Sequence, residues 1–137
     1  LNGTTKTGDE MSKLPEPTRS ELEILQVLWA EGPATVRTVN DRLNEHREVN
    51  YTSTLKLMQI MTDKGLLTRD ESQMKHIYHV VEKEEKTKSI LLEKFIDTMY
   101  NGSAAELMMQ LMGNKKTSRE DLKAVKALLD KLDSKEK

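Results

Sequence analysis

The chain has 137 residues, 36% hydrophobic and 33% charged, with a net charge of −1 and no cysteine. That length holds one small domain plus an appendage, and with one Trp, one Phe and three Tyr the core must be built mostly from Leu, Ile, Val and Met. Without cysteine there is no disulfide, thiolate metal site or Cys nucleophile, which fits a reducing cytoplasm; no run reaches the roughly 18 apolar residues of a membrane span, and no signal peptide is visible.

Residues 1–13 have no apolar period and read as a disordered tail, with Met11 a candidate start. Leu14-Pro-Glu-Pro17 is an extended lead-in. Thr18-Arg-Ser-Glu21 is a capping box that opens a first helix. Its main stripe is Leu22, Leu25 and Trp29, widened by Ile24 and Leu28, and Gly32-Pro33 stops it. Thr35 caps a second helix with Val36, Val39 and Leu43 at helical spacing, followed by a polar loop, Asn44 to Asn50.

The stretch from Tyr51 to Leu67 is the most informative. Thr54, Leu57, Met58 and Met61 recur at i, i+3, i+4, i+7, the spacing of a helix lying on a core. The opposite face then carries Thr52, Lys56, Gln59 and Asp63. Lys64-Gly65 supplies a left-handed C-cap, with Leu66 placed for its hydrophobic contact. A strand over Leu66–Arg69, a turn over Asp70–Lys75 and a strand over His76–Val81 form a hairpin with Tyr78 and Val80 on one face. The expected fold is mainly α with a small β-hairpin wing: a winged helix-turn-helix over residues 14–81.

From Glu82 the chain is helical. One helix spans Glu84–Tyr100 with Leu91, Phe95 and Met99 on one face, and Asn101-Gly102 breaks it. Ser103 opens a short helix ending at Met112. Ser118-Arg-Glu-Asp121 opens another with Leu122, Val125, Leu129 and Leu132 at coiled-coil-like spacing. Such faces are under-buried in one copy, so residues 82–137 read as a dimerisation region. Its interface candidates are Leu91, Phe95, Met99, Leu107, Leu111, Leu122, Val125 and Leu129. The methionines Met99, Met108, Met109 and Met112 read as adaptable filling of that interface, with a promiscuous binding surface as the alternative.

Charge runs against a simple DNA-binding reading. Thr18–Val81 holds eight Lys/Arg and nine Asp/Glu, whereas DNA-binding domains usually carry a basic footprint. Arrangement rather than total must supply the signal, and specificity must lean on two half-sites.

The motifs Thr18-x-x-Glu-x-x-Ile-Leu-x-x-Leu-Trp29, Ala34-Thr-Val-Arg-x-Val39, Tyr51-Thr-Ser-Thr-Leu-Lys-x-Met-x-x-Met-x-x-Lys-Gly-Leu-Leu67 and the wing with Tyr78 together resemble the penicillinase repressors, which include the methicillin-resistance repressors. The resemblance covers roughly Leu14 to Leu132. It implies a homodimeric transcriptional repressor of an antibiotic-resistance-type operon whose winged helix binds a dyad operator on double-stranded DNA. In antibiotic-sensing members a membrane-bound metalloprotease receptor triggers proteolysis within the C-terminal helices. That region maps roughly onto Tyr100–Met112 here. A copper-responsive branch uses a Cys-rich site, which this chain lacks.

Lys56 can donate to guanine and Gln59 can pair with adenine. Thr52 and Ser53 can reach phosphate or a thymine methyl at a helix N-terminus that itself favours phosphate. Tyr51 either staples the loop or reaches phosphate, and Arg37 is either solvated or a phosphate clamp. Arg69 and Lys75 flank the wing, each either solvated or in contact with phosphate or the minor groove, and the wing turn is acidic at Asp70-Glu71. His76 and His79, three apart on a strand, point to opposite faces and cannot share an ion. No catalytic constellation, metal site or cofactor motif stands out. A winged-helix protein-interaction module and a small-molecule-sensing regulator are the competing functions.

Overall fold

Capping decides where the helices begin. The Thr18 hydroxyl accepts the Glu21 N–H at 3.2 Å and the Glu21 carboxylate accepts the Thr18 N–H at 2.8 Å, the reciprocal box that opens α1, Arg19–Glu31. Thr35 caps α2, Val36–Leu43, and Asn50 caps α3, Tyr51–Asp63. Each side-chain oxygen satisfies an N–H that has no partner within its helix. The computed structural model describes residues 16–114 and 116–136. The tail expected over residues 1–13, the first two residues of the lead-in, and the side chain of Leu132 lie outside the described residues.

The end of α3 is a Schellman motif. Gly65 takes φ +87°, its N–H donates to the Thr62 carbonyl at 3.1 Å, and the Leu66 N–H donates to the Met61 carbonyl at 2.9 Å. Leu66 is spent in that cap, so β1 is Leu67–Asp70, one residue later than the spacing predicts. It pairs antiparallel with β2, Ile77–Val80, in register Leu67↔Val80 to Asp70↔Ile77. Ala34 adds a one-residue bridge to Tyr78 through both backbone bonds, at 3.2 and 2.8 Å. Three helices, the hairpin and this bridge enclose one core: Ile24, Leu25, Leu28, Val36, Val39, Leu43, Met58, Met61, Leu67 and Tyr78.

Two further details depart from the sequence reading. The deep face of α1 is Glu21, Ile24, Leu25 and Leu28, whereas Leu22 and Trp29 are only half-buried against it. The reason is Glu21, which is 2% exposed and carries the buried face round with it. Its carboxylate accepts the Lys64 ammonium at 2.7 Å, pinning the start of α1 to the end of α3. Asn40 is the second surprise: it is buried on α2 and donates to the Thr54 hydroxyl at 2.8 Å and the Val49 carbonyl at 3.0 Å.

The chain forms two compact units, meeting at Leu91 and Leu92. The helix α4, Glu84–Tyr100, begins in the first unit and ends in the second. Asn101 (φ 50°) and Gly102 (φ 84°) turn the chain through left-handed backbone. Ser103 caps α5, Ala104–Met112. Ser118 and Asp121 then exchange side-chain-to-N–H bonds at 3.0 and 3.2 Å at the start of α6, Arg119–Glu136. No residue of α4 or α5 is buried.

Candidate nucleic-acid interface

The helix-turn-helix is held from beneath by amides. Besides the Asn40 bonds, the Asn44 amide donates to the Asn40 and Val49 carbonyls at 2.7 and 2.8 Å, and accepts the Val49 N–H at 3.1 Å. The loop from α2 to α3 is therefore tied back to α2 at Val49, and α3 starts from a fixed point. Asn50 accepts the Ser53 N–H at 2.8 Å. Thr54, Met58 and Met61 face inward. Thr52, Ser53, Lys56, Gln59 and Asp63 are exposed on the other side, together with Ile60, which is 41% exposed.

Arg37 and Tyr51 join the starts of α2 and α3. The Arg37 guanidinium lies over the Tyr51 ring, 5.1 Å from its centroid, a cation–π contact. Both line a groove of about 450 Å³ with Thr35, Leu55, Lys75, His76 and the fully exposed Met74. Three of the expected residues, Arg37, Tyr51 and Lys75, are thus brought to one groove between the helix starts and the wing. Thr52, Lys56 and Gln59 share the outer face of α3 instead.

Arg69 is placed differently. Its guanidinium bonds the Glu71 carboxylate at 2.7 and 2.9 Å. Hydrogen bonding to the Tyr78 hydroxyl and then to Glu71 raises its pKa above the ordinary value. The same pair holds Glu71 below its usual range, and bonds from Ser72 do so for Asp70. The acidic turn is therefore consumed in shaping the wing. Elsewhere in this unit Arg42 bridges Glu31 and Glu45 at 3.0 and 3.1 Å, and Arg47 holds Glu23 at 2.6 Å. Arg37, Lys56 and Lys75 form no ion pair among the described residues.

Ile60 and Met74 are surface residues at this interface that the sequence reading passed over. A helical wheel places Ile60 about 40° from Lys56, so its position was available; Met74 gave no signal, because turn residues carry no period. Among the described residues no cluster of His, Asp and Glu could hold a metal, and no helix is long and apolar enough to cross a membrane.

No curated protein matches the chain. Among solved structures it is similar in fold to a MarR family protein from Bacillus stearothermophilus, at 20% identity, covering 96% of this chain and 83% of that one with a TM-score of 0.50. The penicillinase repressor family model matches residues 17–131, which takes in the winged helix and nearly all of the helices that follow. The chain belongs to the penicillinase repressor family and is a DNA-binding transcriptional regulator.

Proposed function

We propose that this chain is a homodimeric repressor that reads a dyad operator of an antibiotic-resistance-type operon. The observation that carries the reading is the sorting of charge. Arg42, Arg47 and Lys64, which lie away from the outer face of α3, are neutralised by carboxylates, while Arg37, Lys56 and Lys75 keep their charge at α3 and the groove beside it. Lys56 and Gln59 read base edges, and Thr52, Ser53 and Ile60 contribute smaller contacts in the same groove of the DNA. Arg37, Tyr51 and Lys75 bind phosphate. Arg69 serves chiefly to shape the wing, since a phosphate contact would have to share it with Glu71.

The second unit supplies the dimer. Phe95, Met99, Leu111, Val125 and Leu129 are exposed, and α5 and α6 form an apolar groove of about 680 Å³ with Met108, Leu111, Met112, Leu122, Val125 and Leu129 on its walls. A second copy of this unit is the occupant that satisfies both faces at once. Release follows from a cut between Tyr100 and Met112, triggered by a membrane-bound sensor metalloprotease. The turn at Asn101-Gly102 is exposed and joins two helices of the dimer. Severed winged units then bind one half-site each and lose the tethering that is worth about 10²–10⁴ in affinity.

Sedimentation at micromolar concentration, followed by a salt series of gel shifts on a dyad operator, tests the reading. A dimer with steep salt dependence is expected. A monomer, or binding indifferent to salt and sequence, overturns it in favour of a protein-interaction module. Blotting from cells treated with a β-lactam tests the release step: derepression with the chain still full length points to a ligand instead.

A further inference from the structure

The indole of Trp29, in the last turn of α1, donates to the backbone carbonyl of Glu82 at 3.3 Å, fifty-three residues further along. Glu82 lies between the wing and α4. One residue earlier, the Val81 N–H donates to the Leu66 carbonyl at 3.1 Å. The segment that feeds α4 is therefore tied twice to the winged unit, once at the cap that ends α3 and once to α1. A cleft of about 270 Å³ runs beside it, between Trp29, Pro33 and His79. Trp29 is only half-buried and lies outside the fully buried core. Burial alone would be served by Phe or Leu; the indole N–H adds a bond that neither can make.

We propose that Trp29 is a positioning residue that fixes the root of α4 and thereby sets the half-site spacing a dimer accepts. The inference rests on the dimeric-operator reading above. The helix α4 has 17 residues, about 25 Å at 1.5 Å per residue. A tilt of about 10° at its root moves its far end by about 4 Å, more than the roughly 3.4 Å of one base-pair step. Because the acceptor is a backbone carbonyl, the identity of residue 82 is immaterial and the indole alone decides whether the bond forms.

The test uses the full chain and an operator selected with it from a dyad library, together with versions in which one or two base pairs are added or removed between half-sites. Wild type prefers one spacing. Trp29→Phe lowers the affinity ratio between the preferred and the altered spacings by about three- to tenfold, the worth of one hydrogen bond, while single half-site affinity and dimer sedimentation stay unchanged. Two glycines inserted between Glu82 and Lys83 do the same without touching the core, which covers a Trp29→Phe chain that fails to fold. Spacing preference as sharp in both variants as in wild type overturns the inference alone. A wild type indifferent to spacing overturns the dimeric-operator reading and the inference with it.

Discussion

Arg42, Arg47, Lys64 and Arg69 each face a carboxylate within 3.1 Å, and that pairing reconciles a winged segment of net charge −1 with DNA binding. The contributions of individual side chains should differ in kind. Arg37→Ala is expected to weaken binding to every sequence alike and to lower the salt slope by about one unit. Lys56→Ala and Gln59→Ala should each cost about 1–3 kcal/mol on the specific site and relax the preference at one position. Gel shifts over a salt series, on operator and on random DNA, separate the two patterns; an unchanged operator affinity for Lys56→Ala rejects the base-reading role of the outer face of α3. Glu21 belongs to stability instead. Burial pushes its carboxyl up, but the bonds from Lys64 and from the Thr18 backbone, with the attraction of the Lys64 charge, outweigh this and leave its pKa below the ordinary 4.5. The folded state therefore holds this proton less tightly than the unfolded chain. Its contribution is complete above about 4.5 and is lost as the pH falls through the folded pKa. Glu21→Gln should flatten the acid limb of stability against pH. Glu21→Ala should cost about 2–3 kcal/mol in urea unfolding at neutral pH, less than for a fully buried pair because Lys64 keeps 34% of its side chain in solvent.

Individual elements were legible in proportion to how local their causes are. The Thr18, Thr35 and Ser103 caps act within three residues, and each is where its sequence signature lies. The break at Asn101-Gly102 and the cap at Gly65 are equally local. The phase of α1 was not legible, because the burial of Glu21 depends on a lysine forty-three residues away. Nor was the Ala34–Tyr78 bridge, which one residue makes with no strand pattern around it. For the interface, the outward face of α3 follows from its period. The sequestration of Arg69 depends on the curl of the wing turn, which periodicity does not describe. Gly65 offers a clean test of an element end. A Cβ there would meet nothing within 4 Å, so Gly65→Ala pays only for the left-handed backbone, about 1–2 kcal/mol. Thermal unfolding should show that loss with operator contacts intact; a loss well beyond it would mean that the wing moves with the cap.

At the scale of the molecule, the two units differ in how well one chain can bury them. The winged unit has a closed core, while in the second unit large apolar side chains such as Met99, Met109 and Met112 remain exposed. If a second copy covers them, stability depends on mass action. The melting temperature should rise with protein concentration for the full chain, and should be independent of it for a chain ending at Leu91. A melting temperature independent of concentration in both would place the cover of α5 and α6 elsewhere. The position of the single tryptophan also has an optical consequence. With no other indole in the chain, fluorescence excited beyond the absorption of tyrosine comes from one place, the root of α4. Opening the Glu82 bond wets the ring and moves its emission to longer wavelength, with faster quenching by acrylamide. A titration with operator that leaves emission and quenching unchanged means the joint is set before DNA arrives; a shift during the titration means that DNA binding remakes it.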